Sequence, residues 1–150
     1  MSQSPSPLDA SRLVIPKSDS LRQCPPVKDI VFGRTFTDHM LKIPWTAARG
    51  WGEPSIEPYG PLSLEPSSVV LHYAVTLFEG MKAYRDDHGK VRLFRPEKNM
   101  ERMNRSASRI CLPNFDETEL LKLIKKLVQL DQHWVPSEPG YSMYIRPTLI

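Results

Sequence analysis

The residues best suited to chemistry lie on one face of a predicted helix. Proline is tolerated in the first turn of a helix, so Pro96 is expected to open it. Four polar residues then recur at helical spacing, which places them nearly in line: Asn99, Arg102, Ser106 and Arg109. Guanidinium groups beside a hydroxyl can bind phosphate or carboxylate through parallel charge-assisted hydrogen bonds. A solvated helix face, with Glu101 and Arg105 as an ion pair, explains the same pattern.

A second candidate lies on a predicted strand near residue 145. Tyr144 and Arg146 are two residues apart and therefore share one face of the strand, about 7 Å from each other. A phenol and a guanidinium that project together could recognise a carboxylate. The alternative is an ordinary half-exposed strand whose long side chains reach toward water.

Other common catalytic patterns are missing from the sequence. The four histidines stand at no metal-ligand spacing from cysteine or carboxylate, so no metal site is predicted. There is no glycine-rich phosphate loop, nucleophile elbow or CxxC motif. Nothing around Lys82 marks it as a reactive lysine. The residues alone therefore predict an anion-binding helix face and a Tyr-x-Arg strand, without a self-contained catalytic group.

The elements that carry these residues follow from hydrophobic periodicity. The helix that opens at Pro96 is expected to bury a stripe made of Met100, Met103, Ala107 and Ile110. A second helix should begin at Asp116, with Glu119 placed to complete a capping box. Its core face comprises Leu120, Leu123, Ile124, Leu127, Val128 and Leu130.

Shorter elements are predicted before these helices. Residues 71–80 favour a short helix that ends at Gly80. The segments MKAYR and KVRLF, separated by the turn composition DDHG, predict a β-hairpin. Residues 31–44 suggest one or two short strands, and the segment from Trp45 to Pro66, rich in glycine and proline, should be mostly loop and edge strand.

Composition limits the class of protein. With 150 residues, 40% of them hydrophobic and 25% charged, the chain is typical of a soluble globular domain. A net charge of +3 gives no argument for nucleic acid or membrane binding, and two cysteines are too few for a disulfide framework. Residues 1–30 are predicted to be a flexible tail or an arm on another surface, and residues 31–150 a domain. The apolar ending Thr148-Leu149-Ile150 favours a truncated product or fragment.

Several segments, in order and spacing, resemble the branched-chain amino acid aminotransferases, which are pyridoxal-phosphate enzymes of the D-amino-acid-transaminase-like fold, or fold type IV. They include FGRTFTDHMLKIPW (32–45), LHYAVTLFEGMKAYR (71–85), VRLFRPEKNMERMNRSASRICLP (91–113) and YIRPTLI (144–150). The resemblance implies an α+β fold: the small domain of these enzymes, with an antiparallel sheet and two main helices, incomplete at its carboxyl end.

The resemblance also implies roles for particular residues. Arg102 matches the arginine that binds the phosphate of the cofactor. Tyr73, Phe32 and Phe78 match residues that line the substrate pocket. Tyr144 and Arg146 match residues that reach the active site of the neighbouring subunit and help to fix the substrate. Apolar enclosure suits a branched alkyl group, with about 1–3 kcal/mol of discrimination per methylene.

The implied activity is the transfer of the amino group of leucine, isoleucine or valine to 2-oxoglutarate by pyridoxal phosphate, in a homodimer. In that family the Schiff-base lysine, the glutamate beside the pyridine nitrogen and most of the phosphate cup belong to a second, larger domain, which follows the segment that this chain resembles. These 150 residues are therefore expected to hold the cofactor poorly and to be inactive alone.

Two other functions stay open on the sequence. One is a non-catalytic module that pairs with a full-length partner. The other is a different fold type IV enzyme, a D-amino-acid transaminase or an aminodeoxychorismate lyase, which FTDHM and NMERM disfavour. A cytosolic location is favoured over a mitochondrial one because Asp9, Asp19 and Asp29 interrupt the first thirty residues, whereas transit peptides are nearly free of acids.

Overall fold

A computed structural model describes residues 5–16 and 21–150. Its strands are all short: β1 (His39–Lys42), β2 (Trp45–Thr46), β3 (Gly50–Trp51), β4 (Ser55–Pro58), β5 (Leu77–Phe78), β6 (Met81–Arg85), β7 (Val91–Leu93), β8 (Met143–Ile145) and β9 (Thr148–Leu149). The helices are α1 (Val69–Tyr73), α2 (Pro96–Arg109) and α3 (Glu117–Leu130), with single 3₁₀ turns at Ala10–Arg12, Val27–Asp29 and Gln132–Trp134. The expected α+β class with antiparallel strands and two main helices is confirmed.

The two main helices follow the predicted periodicity. Helix α2 begins at Pro96 and buries Met100, Met103 and Ala107 against α3. Ile110 departs from the predicted stripe, because the helix has already ended and its side chain is 36% exposed. Within the described ranges, no helix combines the length and apolarity needed to cross a membrane.

The start of α3 confirms half of the predicted capping box. Asp116 is the N-cap, and its carboxylate accepts a hydrogen bond from the backbone N–H of Glu119 at 3.0 Å. The Glu119 side chain instead accepts from the backbone N–H of Ala10 at 2.7 Å. The residue predicted to close the cap therefore ties an N-terminal segment to the helix.

The predicted helix over residues 71–80 is wrong in its extent. Helix α1 stops at Tyr73, since the next residue, Ala74, has a left-handed backbone (φ 52°). Leu77 and Phe78 then form β5, which pairs with β9. Pairing with a strand about seventy residues away overrides the local helical pattern, and Gly80 ends no helix.

The predicted hairpin is confirmed and forms the centre of a three-stranded antiparallel sheet in the order β7-β6-β8. Met81 and Ala83 of β6 are buried in the core, while Lys82 and Tyr84, between and beyond them, are exposed. Lys82 lies opposite Tyr144 in the register with β8. The sheet therefore has one face packed on the core and one carrying polar and aromatic side chains.

Residues 5–16 lie as an arm on the domain. The Ser6 N–H donates to the carbonyl of Arg49 at 2.8 Å, and the Trp51 N–H donates to the carbonyl of Ser6 at 2.9 Å. Leu8 is buried in the core with only 3% of its surface exposed. Gly50 permits this docking, since it adopts φ +76° and a Cβ there would lie 2.3 Å from the Ser6 carbonyl oxygen. Within the predicted tail of residues 1–30, residues 1–4 and 17–20 lie outside the described part.

Candidate functional site

Aromatic rings and a guanidinium meet at the outer edge of β8. The guanidinium carbon of Arg146 lies 4.5 Å from the ring centre of Phe78 and 5.2 Å from that of Tyr144. Its Nη2 donates to the Tyr144 hydroxyl at 3.2 Å. The ring of Phe32 meets the Tyr144 ring edge-on at 5.4 Å between centroids. The four residues Phe32, Phe78, Tyr144 and Arg146, which we call the aromatic cluster, thus form one continuous surface.

Three separate segments place these side chains. Tyr144 lies in β8, beside the central strand β6. Phe78 lies in β5, and the pairing of β5 with β9 brings it beside Arg146, which precedes β9 by two residues. Phe32 and Phe78 are largely exposed, whereas Tyr144 is half-buried.

Gly80 provides the floor beneath Tyr144. A Cβ at this position would lie 2.4 Å from the Tyr144 hydroxyl oxygen and 3.0 Å from the adjacent ring carbon. The tyrosine therefore rests on bare backbone, and any larger residue at position 80 must displace it. Gly80 directly follows Glu79 in the chain, so the aromatic cluster lies next to Glu79.

Glu79 holds the predicted phosphate-binding arginine. Its carboxylate accepts from Arg102 Nε at 2.7 Å and Nη2 at 2.5 Å, and from the Asn99 amide at 2.8 Å. Burial raises the pKa of Glu79, but the hydrogen bonds from Arg102 and Asn99 outweigh it, so the pKa lies below its ordinary value. Asn99 also donates to the carbonyl of Gly80 at 2.9 Å. The Arg102 side chain remains half exposed, with Nη1 making no hydrogen bond in the described part of the chain.

The predicted line of polar residues on α2 divides into two parts. Asn99 is buried and Arg102 faces Glu79, whereas Ser106 and Arg109 line a shallow cleft of about 640 Å³ together with Arg105 and Thr76. The expected pair of Glu101 and Arg105 is absent from the described contacts. Glu101 pairs instead with Lys98, at 2.8 Å.

Tyr73 lies apart from the aromatic cluster. It is 80% exposed, and the aromatic ring nearest to it among the described contacts is that of the adjacent His72, at 6.5 Å. The structure thus brings together Phe32, Phe78, Tyr144 and Arg146, reaches Arg102 through Gly80 and Glu79, and leaves Tyr73 outside. Its role in a substrate pocket stays a prediction.

A buried polar network escapes the sequence patterns. His39 Nδ1 lies 2.6 Å from Asp131, and Asp38 accepts from His133 Nε2 at 3.0 Å and from Trp134 Nε1 at 2.9 Å. Burial alone would raise the pKa of Asp38, but hydrogen bonds from Trp134, Arg22 and His133 lower it to about 2. Arg22 is 16 residues from Asp38, but the other partners in the network are more than ninety residues apart in sequence, so no local spacing indicates them.

No cluster of three or more histidine, cysteine, aspartate or glutamate side chains in the described ranges could hold a metal ion. The antiparallel sheets, the two helices and the exposed guanidinium among aromatic rings together define an α+β domain with a surface suited to a small apolar carboxylate.

Comparison with known proteins finds relatives that share one name. No protein-family model matches the chain. It is 58% identical, over 144 residues, to the mitochondrial branched-chain-amino-acid aminotransferase of Saccharomyces cerevisiae, and equally so to the cytosolic one. Over nearly its whole length, the chain is therefore a homologue of the branched-chain-amino-acid aminotransferases.

The overlap covers 96% of this chain but only 37% and 38% of those two relatives, so the chain spans a little over one third of their length. A solved structure of the Escherichia coli branched-chain amino acid aminotransferase also matches, with a TM-score of 0.47 and 25% identity over 57% of this chain and 26% of that one.

Proposed function

We propose that these residues form the substrate-facing part of a branched-chain amino acid aminotransferase. The reaction would transfer the amino group of leucine, isoleucine or valine to 2-oxoglutarate. The observation that carries the proposal is the convergence of Phe32, Phe78, Tyr144 and Arg146 on one surface, in a chain 58% identical to enzymes of that name.

The aromatic cluster has the chemistry that a branched amino acid requires. The Arg146 guanidinium offers a planar fork of donors to a carboxylate, and Tyr144 holds that fork in place through its hydroxyl. The exposed rings of Phe32 and Phe78 supply the apolar wall for an aliphatic side chain. An amino acid with its carboxylate at Arg146 would thus place its alkyl group against these rings.

Arg102 fits one edge of a phosphate site. Its guanidinium carries five N–H donors. The Nε donor and one Nη2 donor bind Glu79, so the two donors at Nη1 face away from Glu79 and can bind an anion. Glu79 also offsets the positive charge, and a phosphate dianion needs further donors. We propose that pyridoxal phosphate is bound with Arg102 as one contact and the others outside these 150 residues. When bound, this group supplies the electron sink that stabilises negative charge at the substrate α-carbon.

The catalytic lysine is proposed to lie outside these 150 residues, in the larger domain that the resemblance implies. The exposed aromatic cluster suits a position between subunits, since large aromatic side chains and arginine are enriched in such interfaces. We therefore propose a homodimer in which Tyr144 and Arg146 approach the neighbouring active site. A cytosolic location is also proposed, on the acidic residues among the first thirty.

The test is an assay of the complete gene product that contains these residues. Leucine, isoleucine or valine with 2-oxoglutarate should yield glutamate. Arg146→Gln should lower kcat/KM by about 10- to 100-fold, the cost of losing a charge-assisted hydrogen bond to the substrate carboxylate. Arg105→Gln, which removes the same charge from helix α2, is the matched control and should have little effect.

The 150 residues assayed alone should form no glutamate and give no new absorbance with pyridoxal phosphate. A complete gene product that makes no glutamate from any of the three amino acids would refute the proposed activity. Full activity of the 150 residues alone would refute the placement of the lysine outside them.

A further inference from the structure

Residues 22–38 form a closed loop whose two ends are held together by one arginine. The backbone N–H and the Nε of Arg22 both donate to Asp38 Oδ1, each at 3.0 Å. Its Nη2 donates to the carbonyls of Phe36 and Thr37. Each of these contacts joins Arg22, the first residue of the loop, to one of its last three residues. We call this set of contacts the neck of the loop.

The other side of the neck is fixed to the core. Asp38 is buried, and its second oxygen accepts from Trp134 Nε1 and His133 Nε2. The guanidinium of Arg22 also lies over the Trp134 ring, 5.4 Å from its centroid. The half-exposed Arg22 side chain is thus bound to a buried carboxylate that the core holds in place. This differs from an ion pair in which both side chains are exposed to solvent.

The far end of the loop carries Phe32. A tight turn holds it, with the Arg34 and Thr35 N–H groups donating to the carbonyl of Val31, each at 3.0 Å. Gly33 allows the turn by adopting φ +77°. Phe32 is 76% exposed, and its described ring contact is the edge-on one with Tyr144. The turn thus fixes the backbone of the tip, and the edge-on contact with Tyr144 is the described ring contact between Phe32 and the rest of the aromatic cluster.

We propose that Arg22 and Asp38 are positioning residues that hold Phe32 over Tyr144, so that opening of the neck removes one wall of the substrate pocket. Closing the ends of a loop restricts the conformations of everything between them, and the neck therefore restricts the positions that the tip can take. That the wall belongs to a substrate pocket rests on the proposed function; that the neck orders the tip does not.

The first experiment uses the 150-residue chain and compares Arg22→Gln with Arg34→Gln. Arg34 belongs to the same loop, is exposed, and its guanidinium makes no hydrogen bond among the described residues. In Arg22→Gln, hydrogen exchange of the hydrogen-bonded amides of Val31, Arg34 and Thr35 should accelerate about tenfold or more, because charge-assisted bonds at the neck are lost. The nuclear Overhauser contact between the Phe32 and Tyr144 rings should vanish. Both signals should match wild type in Arg34→Gln.

Unchanged exchange and an intact ring contact in Arg22→Gln would overturn the proposal. So would an acceleration spread evenly over α2 and α3, which would mean general destabilisation. If Arg22→Gln fails to fold, Arg22→Lys is the deciding variant, since it keeps the charge but loses the planar guanidinium. Faster hydrogen exchange confined to the loop would then support the proposal. Unchanged exchange, or exchange that is faster throughout the domain, would overturn it.

A second readout concerns the pocket. In the complete gene product, Arg22→Gln should raise the KM for leucine about tenfold while kcat changes much less, the pattern of lost binding rather than lost chemistry. An unchanged KM together with an open loop would overturn the positioning role. Failure of the proposed function is a separate result, since it would appear in the wild-type protein as no activity at all.

Discussion

Replacement of Glu79 by glutamine tests whether the Glu79–Arg102 pair stabilises the domain. The substitution keeps the shape of the side chain but removes the charge that accepts two hydrogen bonds from Arg102 and one from Asn99. A hydrogen bond to a charged group contributes about 1.5–3 kcal/mol. Since the Arg102 side chain is half exposed, solvent screening reduces this, and we expect a loss of about 1–2 kcal/mol.

The assay is thermal unfolding of the 150-residue chain. At this size about 1 kcal/mol corresponds to roughly 2–4 °C, so Glu79→Gln should lower the Tm by about 2–8 °C. Glu101→Gln is the matched control, because it removes the same charge from an exposed pair with Lys98 on helix α2. That variant should cost about 0.5 kcal/mol or less.

The effect of Glu79→Gln should also depend on pH in a defined direction. The pKa of Glu79 is lowered in the folded protein, so its stabilisation is present above the unfolded-chain pKa, about 4.3, and is lost as pH falls through the folded value. The difference between wild type and Glu79→Gln should therefore be constant at neutral pH and shrink below about pH 4. Equal losses in both glutamine variants, or a difference that persists in strong acid, would refute the role of the buried carboxylate.

Three further substitutions probe other contacts. Gly50→Ala should unfold at lower denaturant than Gly89→Ala, because both have φ +76° but only the first would place a Cβ against the N-terminal arm; equal midpoints would contradict this. Gly80→Ala should displace Tyr144 and change the near-ultraviolet circular dichroism, and an unchanged spectrum would show that the ring does not rest there. His39→Ala should cost about 1–3 kcal/mol in urea unfolding because Asp131 Oδ1 loses its ring partner while Oδ2 keeps the backbone N–H of residue 39, and an unchanged midpoint would argue against that pair.

Local signals in the sequence are sufficient for the longer elements. Helices α2 and α3 are predictable at nearly their observed bounds because their apolar residues recur at helical spacing. Pro96, the first residue of α2, and Asp116, the N-cap of α3, are also favoured at helix starts. The hairpin of β6 and β7 is predictable because its turn is short. The helix predicted to Gly80 fails because β5 is stabilised by β9, a partner with no local trace.

The candidate site is predictable only in pieces. The spacing of Tyr144 and Arg146 predicts that they share a strand face; β8 ends at Ile145, so Arg146 lies just beyond the strand, but its side chain still meets Tyr144 through a hydrogen bond. Spacing cannot indicate that Phe32 meets Tyr144 across more than one hundred residues. Glu79 also gives no signal, since a single glutamate between a phenylalanine and a glycine carries no pattern. Its importance comes from burial and from two partners on α2.

The N-terminal arm has a consequence for the order of events during synthesis. Its backbone partner at Gly50 is made more than forty residues later, and Glu119, which binds the Ala10 N–H, more than one hundred residues later. Because the ribosome adds about 5–20 residues per second, several seconds or more pass between the synthesis of Leu8 and that of the core residues that bury it. An apolar residue that leaves the ribosome early is thus among the last to be buried, and during that interval the nascent chain exposes a segment that a chaperone could hold.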